Sequence, residues 1–251
     1  MVSIYNDVKF FYPGFVIPDS GTVDHDVEIT ARMFNEGVGC RVLEIGANQE
    51  PLLIALARAG YAATGIDKKR YEIVYRGSLI YINNRFGMMW HEPVGSALLN
   101  FSFIQDNFIT HDFGDMKFKA VVSTSTIEHV GFEDVGIGGA KLDVEDGDCR
   151  AMDKIYDLLD DGGTAYITVP VGVWDVSIEG WRVYDEKHLQ ERIIRKFLVS
   201  GMLFFASAGF TYDNTFIPDG SYLSKEEAFA SRGPSATVLL ILKKKNTLGG
   251  A

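Results

Sequence analysis

A chain of 251 residues with 47% hydrophobic side chains is long enough to bury one large core with some insertions. Its formal net charge of -10 excludes a broadly basic face, so a nucleic-acid backbone is not the expected partner. Cys40 and Cys149 stand in no C-x-x-C motif and make no disulfide framework, which fits free thiols in a reducing, cytoplasmic setting. The opening MVSIYNDVKF lacks the pattern of a signal peptide, and Gly201 to Phe210 is too short for a bilayer span of about 20 residues, so no membrane partner is expected.

Residues 1 to 23 hold Tyr5, Phe10, Phe11, Tyr12 and Phe15 without a clean period and are expected to form an aromatic arm or lid. No linker divides the chain, and 1–251 reads as a single domain. A helix is expected over Asp24 to Asn35, stopped by Gly37 and Gly39. Arg41 to Ile45 reads as the first core strand, Pro51 to Ala59 as a helix closed by Gly60, and Ala62 to Ile66 as the second strand. Apolar residues from Lys69 to about Phe86 suggest a further helix, with a loop from Gly87 to Ser96. Phe101 to Gln105 and Lys117 to Val122 read as the third and fourth strands, and Val130 to Asp148 as an acidic, glycine-rich loop without metal-ligand spacing. A helix capped by Asp148 runs to Leu159, the turn Asp161-Gly162-Gly163 follows, and Thr164 to Val169 is the fifth strand. Beyond a loop from Pro170 to Gly180, a long helix is expected over Asp185 to Val199. Two strands, Met202 to Phe210 and Ala236 to Leu242, flank a loop from Thr215 to Pro234. Lys243, Lys244 and Lys245 read as a solvated strand end.

The chemistry concentrates at the first two strand ends. Val42-Leu43-Glu44-Ile45-Gly46-Ala47-Asn48 runs from apolar residues into an acid and a glycine, and Gly65-Ile66-Asp67 ends the next run on another acid. This is a strand, turn, helix and strand, the opening unit of an open parallel sheet whose ligands sit beyond the strands' carboxyl ends. A pyrophosphate fingerprint needs three glycines, and only Gly46 is present; Asn48 and Glu50 occupy the later positions. Glu50 would compete with a phosphate at the helix N-terminus. A ligand without phosphates fits better: Glu44 suits a cationic ammonium, and Asp67, 21 positions after Gly46, suits the two hydroxyls of a ribose.

With these motifs the sequence resembles the class I S-adenosylmethionine-dependent methyltransferases. The likeness continues through Phe103-Ile104-Gln105-Asp106-Asn107 at the third strand and Val121 to Val130 at the fourth, where Ile127-Glu128-His129-Val130 follows the strand. Leu158-Leu159-Asp160-Asp161-Gly162-Gly163 resembles the turn before strand five, and in all the likeness covers about residues 25 to 245. A narrower likeness, carried by IEHVG, DGD at Asp146 to Asp148, VPVG at Val169 to Gly172 and RVY at Arg182 to Tyr184, is to a group of methyltransferase-like proteins, some of them near surface-sugar assembly. The resemblance implies an α/β, Rossmann-like three-layer sandwich whose seven-stranded, mostly parallel sheet has an antiparallel last strand. It implies S-adenosyl-L-methionine as cofactor, held by Glu44, Gly46, Ala47 and Asn48 at the first turn. It further implies Asp67 and Lys68 after the second strand, Asp106 and Asn107 after the third, and Ser123 and Thr124 at the fourth.

A methyl sulfonium is already electrophilic, so the protein's task is to hold an acceptor in line. An oxygen acceptor also gains from a base, for which His129 is the first candidate; Tyr184 is the second candidate catalytic residue, and with Arg182 it could line the acceptor pocket. The expected function is methyl transfer to a small-molecule acceptor, on an oxygen of a sugar or another metabolite. A non-catalytic binding protein of the same fold and an NAD(P)-dependent oxidoreductase are the competing readings. His188, four residues beyond Tyr184 on the expected helix, reads as a surface residue, and His111 and His91 carry no supporting pattern.

Overall fold

The computed structural model describes residues 30, 33–47, 52–68, 72–76, 79–83, 92–93, 101–134, 140–177, 180–206, 209–210, 216–217, 221–231 and 233–245. The expected arm over 1–23, most of the helix expected over Asp24 to Asn35, and Asn48, Glu50, Pro51 and His91 lie outside them.

Four successive side chains of the first apolar run, Val42, Leu43, Glu44 and Ile45, are buried, as a central parallel strand covered on both faces requires. This strand, β1 (Arg41–Ile45), pairs in parallel with β2 (Ala62–Asp67) on one side and β4 (Phe118–Ser123) on the other. β3 (Phe101–Gln105) lies parallel beside β2, and β5 (Leu159–Val171) parallel beside β4. β7 (Ala236–Lys243) inserts antiparallel between β5 and β6 (Leu198–Ala206), giving the order β6-β7-β5-β4-β1-β2-β3. The seven-stranded sheet with its antiparallel last strand is the one the resemblance implies.

Alternation along the strands sends side chains to two separate cores. Val42, Ala120, Val122, Tyr166 and Leu239 pack with Leu52, Leu53, Leu56 and Ala57 of α1 (Leu52–Arg58). Leu43, Ile45, Val121, Ile167 and Leu240 pack with Ala151, Met152 and Ile155 of α2 (Gly147–Leu158). Helices on both faces of the sheet make the three layers. The Asp161-Gly162-Gly163 turn is a bulge inside β5, where pairing with β4 jumps from Leu159 to Thr164.

Several expectations are corrected. Lys69 to Phe86 is not a helix: Glu72–Arg76 pairs antiparallel with Leu79–Asn83, which in turn pairs with Glu92–Pro93. Ile73, Val74, Ile80 and Ile82 are β-branched and favour extended backbone. The acidic loop contains the hairpin Phe132–Asp134 with Ala140–Leu142, and the loop after β5 contains Asp175–Val176 paired with Arg182–Val183. The expected Asp185 to Val199 helix is only α3 (Glu186–His188) followed by a π-helical stretch, Leu189–Ile194, and β6 begins at Leu198. Gly209–Phe210 leaves the main sheet to pair with Phe216–Ile217. The loop expected over Thr215 to Pro234 holds α4 (Lys225–Ala230), started by a capping box in which Ser224 and Glu227 satisfy each other's backbone N–H. Asp148 is not a cap; Asp146 precedes α2 and Asp148 is buried within its first turn. The lysine triplet is partly used by the fold: Lys243 donates to Thr164 Oγ1 at 2.9 Å and Lys244 to the Leu159 carbonyl at 2.7 Å.

Candidate active site

The sheet order reverses at β1, and in open parallel sheets ligands bind beyond the carboxyl ends of the strands at such a reversal, here the ends of β1, β2 and β4. Gly46 makes the exit from β1. Its φ is +83°, its N–H donates to the Ile66 carbonyl at 2.9 Å, and a Cβ there would lie 2.1 Å from Thr126 Oγ1. Glycine is required on both counts, conformation and space. Thr126 is held against it by donating its hydroxyl to the Thr124 carbonyl at 2.8 Å. Ser125, between them, has a φ of +39°, in the left-handed region a side chain rarely adopts, and its N–H donates to Thr168 Oγ1.

Glu44, one residue inside β1, is 1% exposed, and neither carboxylate oxygen has a hydrogen-bond partner among the described residues. Burial, and after it the charge of Asp67, pushes its carboxyl up to about 8. A buried carboxyl without a partner is costly unless something cationic or hydrogen-bonding meets it. Asp67 ends β2 half-buried and Lys68 beyond it is exposed. The Asp67 carbonyl accepts from the Asp106 N–H at 2.9 Å, tying the ends of β2 and β3 together. Asp106 is exposed; its carboxylate accepts from the Asn107 N–H at 2.7 Å and meets His111 Nδ1 at 2.9 Å. His111 first and Asn107 second hold that carboxyl below the usual range. Asn107 in turn accepts from the Ile109 N–H. Ala47, Ser123 and Thr124 are buried, with Ser123 Oγ 3.5 Å from the Ile45 carbonyl. The structure thus gathers Glu44, Gly46, Ala47, Asp67, Ser123 and Thr124 at neighbouring strand ends, with Asp106 and Asn107 at the rim, while Asn48 lies outside the described residues.

His129 closes a short 3-10 turn, Ile127–His129, that follows β4. It is exposed, and its Nδ1 lies 2.6 Å from the carbonyl of Gly180. Tyr184 is 0% exposed; its hydroxyl donates to Asp148 Oδ2 at 2.9 Å, and burial followed by Asp148 raises it well above its ordinary value. Arg182 is buried too, donating to four backbone carbonyls and lying against Asp148. Asp148 is fully buried among Arg182, Arg192 and Tyr184. Its burial opposes ionisation, but the Arg192 hydrogen bond and the two cationic charges outweigh it and hold the carboxyl low. His188 is not a bare surface residue; it stacks on Trp174 with ring centroids 3.8 Å apart and pairs with Asp185 at 2.7 Å. Among the described residues, no three His, Cys, Asp or Glu side chains cluster as metal ligands would.

The profile of a family described as "Methyltransferase domain" matches residues 26–200. No curated protein matches the chain in sequence. Solved structures of similar fold include TehB from Haemophilus influenzae, 13% identical, covering 95% of this chain and 67% of that one with a TM-score of 0.52. The 1,6-didemethyltoxoflavin-N1-methyltransferase of Burkholderia thailandensis, solved with bound 1,6-didemethyltoxoflavin and S-adenosylhomocysteine, is 13% identical, with 97% and 87% covered and a TM-score of 0.50. A SAM-dependent methyltransferase from Methanosarcina mazei is 15% identical, with 84% and 95% covered and a TM-score of 0.50.

Proposed function

The chain belongs to the methyltransferase-domain family, and we propose that it transfers the methyl group of S-adenosyl-L-methionine to an oxygen of a small-molecule acceptor. The observation that carries this reading is the carboxyl of Glu44, buried and without a partner beside the Gly46 turn. A cationic ammonium is what such a group lacks. Asp67, at the end of the next strand, is suited to a ribose diol, and Asp106 and Asn107 stand at the rim where a base edge would lie. When bound, the cofactor supplies an activated methyl group.

The protein's remaining task is to orient the acceptor and take its proton. A carbonyl oxygen cannot donate, so in the bond to Gly180 the His129 Nδ1 must carry the hydrogen. In the neutral ring the lone pair then belongs to Nε2, which we assign as the proton acceptor. Tyr184, enclosed and bonded to Asp148, is assigned to the scaffold behind the site rather than to the reacting atoms.

Calorimetry with S-adenosylhomocysteine tests the reading. Binding by the native chain, lost in Asp67→Ala, is expected. A folded sample that ignores this ligand but binds NADH would favour an oxidoreductase, and one that binds neither would leave a scaffold of the same fold.

A further inference from the structure

One short hairpin holds His129 in two ways at once. Its turn supplies the Gly180 carbonyl that meets the His129 ring at 2.6 Å. Two residues on, Arg182 sends Nη1 to the carbonyls of Glu128 at 3.1 Å and Val130 at 2.7 Å, the residues on either side of His129. The other guanidinium nitrogen, Nη2, donates to the carbonyls of Val144 and Glu145, both at 3.2 Å. The guanidinium is therefore a plate between the exit of β4 and the entry to α2. β4 is held in the sheet by its neighbours on both sides and α2 packs on the sheet through its own apolar face, so the guanidinium adds a separate link between them.

The plate is itself fixed. Asp148 Oδ1 lies 3.9 Å from Arg182 Nε, and the Phe132 ring covers the guanidinium carbon at 4.7 Å. Gly131, with a φ of +97°, lets the chain pass close; a Cβ there would sit 2.2 Å from the Val144 carbonyl. The hairpin is anchored to the end of β5 by the Tyr184 N–H on the Pro170 carbonyl and the Gly172 N–H on the Tyr184 carbonyl, both at 3.0 Å.

We propose that Arg182 is a positioning residue for His129: by fixing the backbone on both sides of it while Gly180 fixes its ring, the hairpin selects the Nδ1–H form and leaves Nε2 to accept a proton. This rests on the reading of His129 as the acceptor of the substrate proton. Arginine suits the task because its planar fork of five donors spans several carbonyls at fixed angles, which a lysine ammonium does not.

The test uses the full chain, 15N-labelled, with no ligand. Long-range proton–nitrogen correlation spectra at pH 8 report which imidazole nitrogen carries the hydrogen in each of the five histidines, and His129→Gln identifies the His129 signals. The native protein is expected to show His129 protonated at Nδ1; an Nε2–H form overturns the proposal. Arg182→Lys keeps the charge beside Asp148 but cannot reach all four carbonyls, and is expected to give a folded protein in which His129 averages between both forms. A folded Arg182→Lys with an unchanged His129 spectrum also overturns it. If that variant fails to fold, Phe132→Leu, which loosens the guanidinium without removing a donor, should move the signals in the same direction, and no movement counts against the proposal. S-adenosylhomocysteine affinity in Arg182→Lys should stay within about threefold of native, because its carbonyl partners lie outside the Glu44 and Asp67 strand ends. Failure of the native chain to bind that ligand would reject the proposed function alone, since the histidine spectra need no ligand.

Discussion

Glu44 and Asp67 belong to adjacent parallel strands, and the charge of Asp67 adds to burial in keeping the Glu44 carboxyl protonated up to about pH 8. The unfolded chain loses that proton near 4.5. Between those limits the folded state binds more protons than the unfolded, so stability falls as pH rises. The slope is about 1.4 kcal/mol per pH unit within the window for one such group. Urea denaturation at pH 5 and pH 8 should show a native-minus-Glu44→Gln difference that shrinks or reverses at the higher pH. A difference constant across pH would show that Glu44 is ionised in the fold.

A cation brought to Glu44 favours its charged form, so cofactor binding near pH 7 should release up to about one proton. Titrating S-adenosylhomocysteine in buffers with different ionisation heats measures this directly. Heats that do not depend on the buffer would separate the ligand's ammonium from Glu44.

Gly46→Ala places a side chain in the left-handed region and against Thr126. Backbone strain of this kind costs about 1–3 kcal/mol, and the displaced turn should weaken S-adenosylhomocysteine binding by more than about tenfold, or 1.4 kcal/mol. A melting curve and a titration on the same sample check both, and a native-like affinity would mean the turn does not touch the ligand.

Asp148→Ala leaves two arginines facing a cavity that had held their counter-charge. Breaking a buried pair in this way costs about 3–5 kcal/mol. The Asp148 carboxyl is held below its ordinary 3.8, so its contribution is present above that value and is lost only as pH falls through the depressed one. Melting temperatures from pH 6 down to pH 2 should fall more steeply on the acid side for the native protein than for Asp148→Asn.

The main sheet was legible because apolar runs and glycine or proline punctuation coincide at each of its first strands, as at Val42 to Gly46 and Gly60 to Asp67. The edges of elements were not. Ile73, Val74, Ile80 and Ile82 satisfy both a helical and a strand period, and only their β-branched stems, with Gly77 between the two runs, point to extended chain. Ser224 and Glu227 form a capping pattern plain in the sequence, yet the loop's polar composition hid the helix behind it. At the proposed site, Glu44, Gly46 and Asp67 could be singled out because strand ends announce ligand edges. The contacts of Arg182 were not legible because its partners are carbonyls, which every residue carries. A lone cation between Trp181 and Val183 was the available sign of a buried charge. His111 was passed over because its partner, Asp106, stands five positions away across a turn, a spacing no regular element produces.

The place of β7 between β5 and β6 bears on synthesis as well as on shape. A nascent chain emerging from the ribosome makes β5 and β6 before the strand that joins them, so each waits with a row of open peptide groups on one side. Such rows recruit other chains. Translation halted upstream of Ala236 should therefore yield no smaller functional version of the protein, only an insoluble fragment, and the ladder closes when Thr164 and Leu159 receive the lysines that follow.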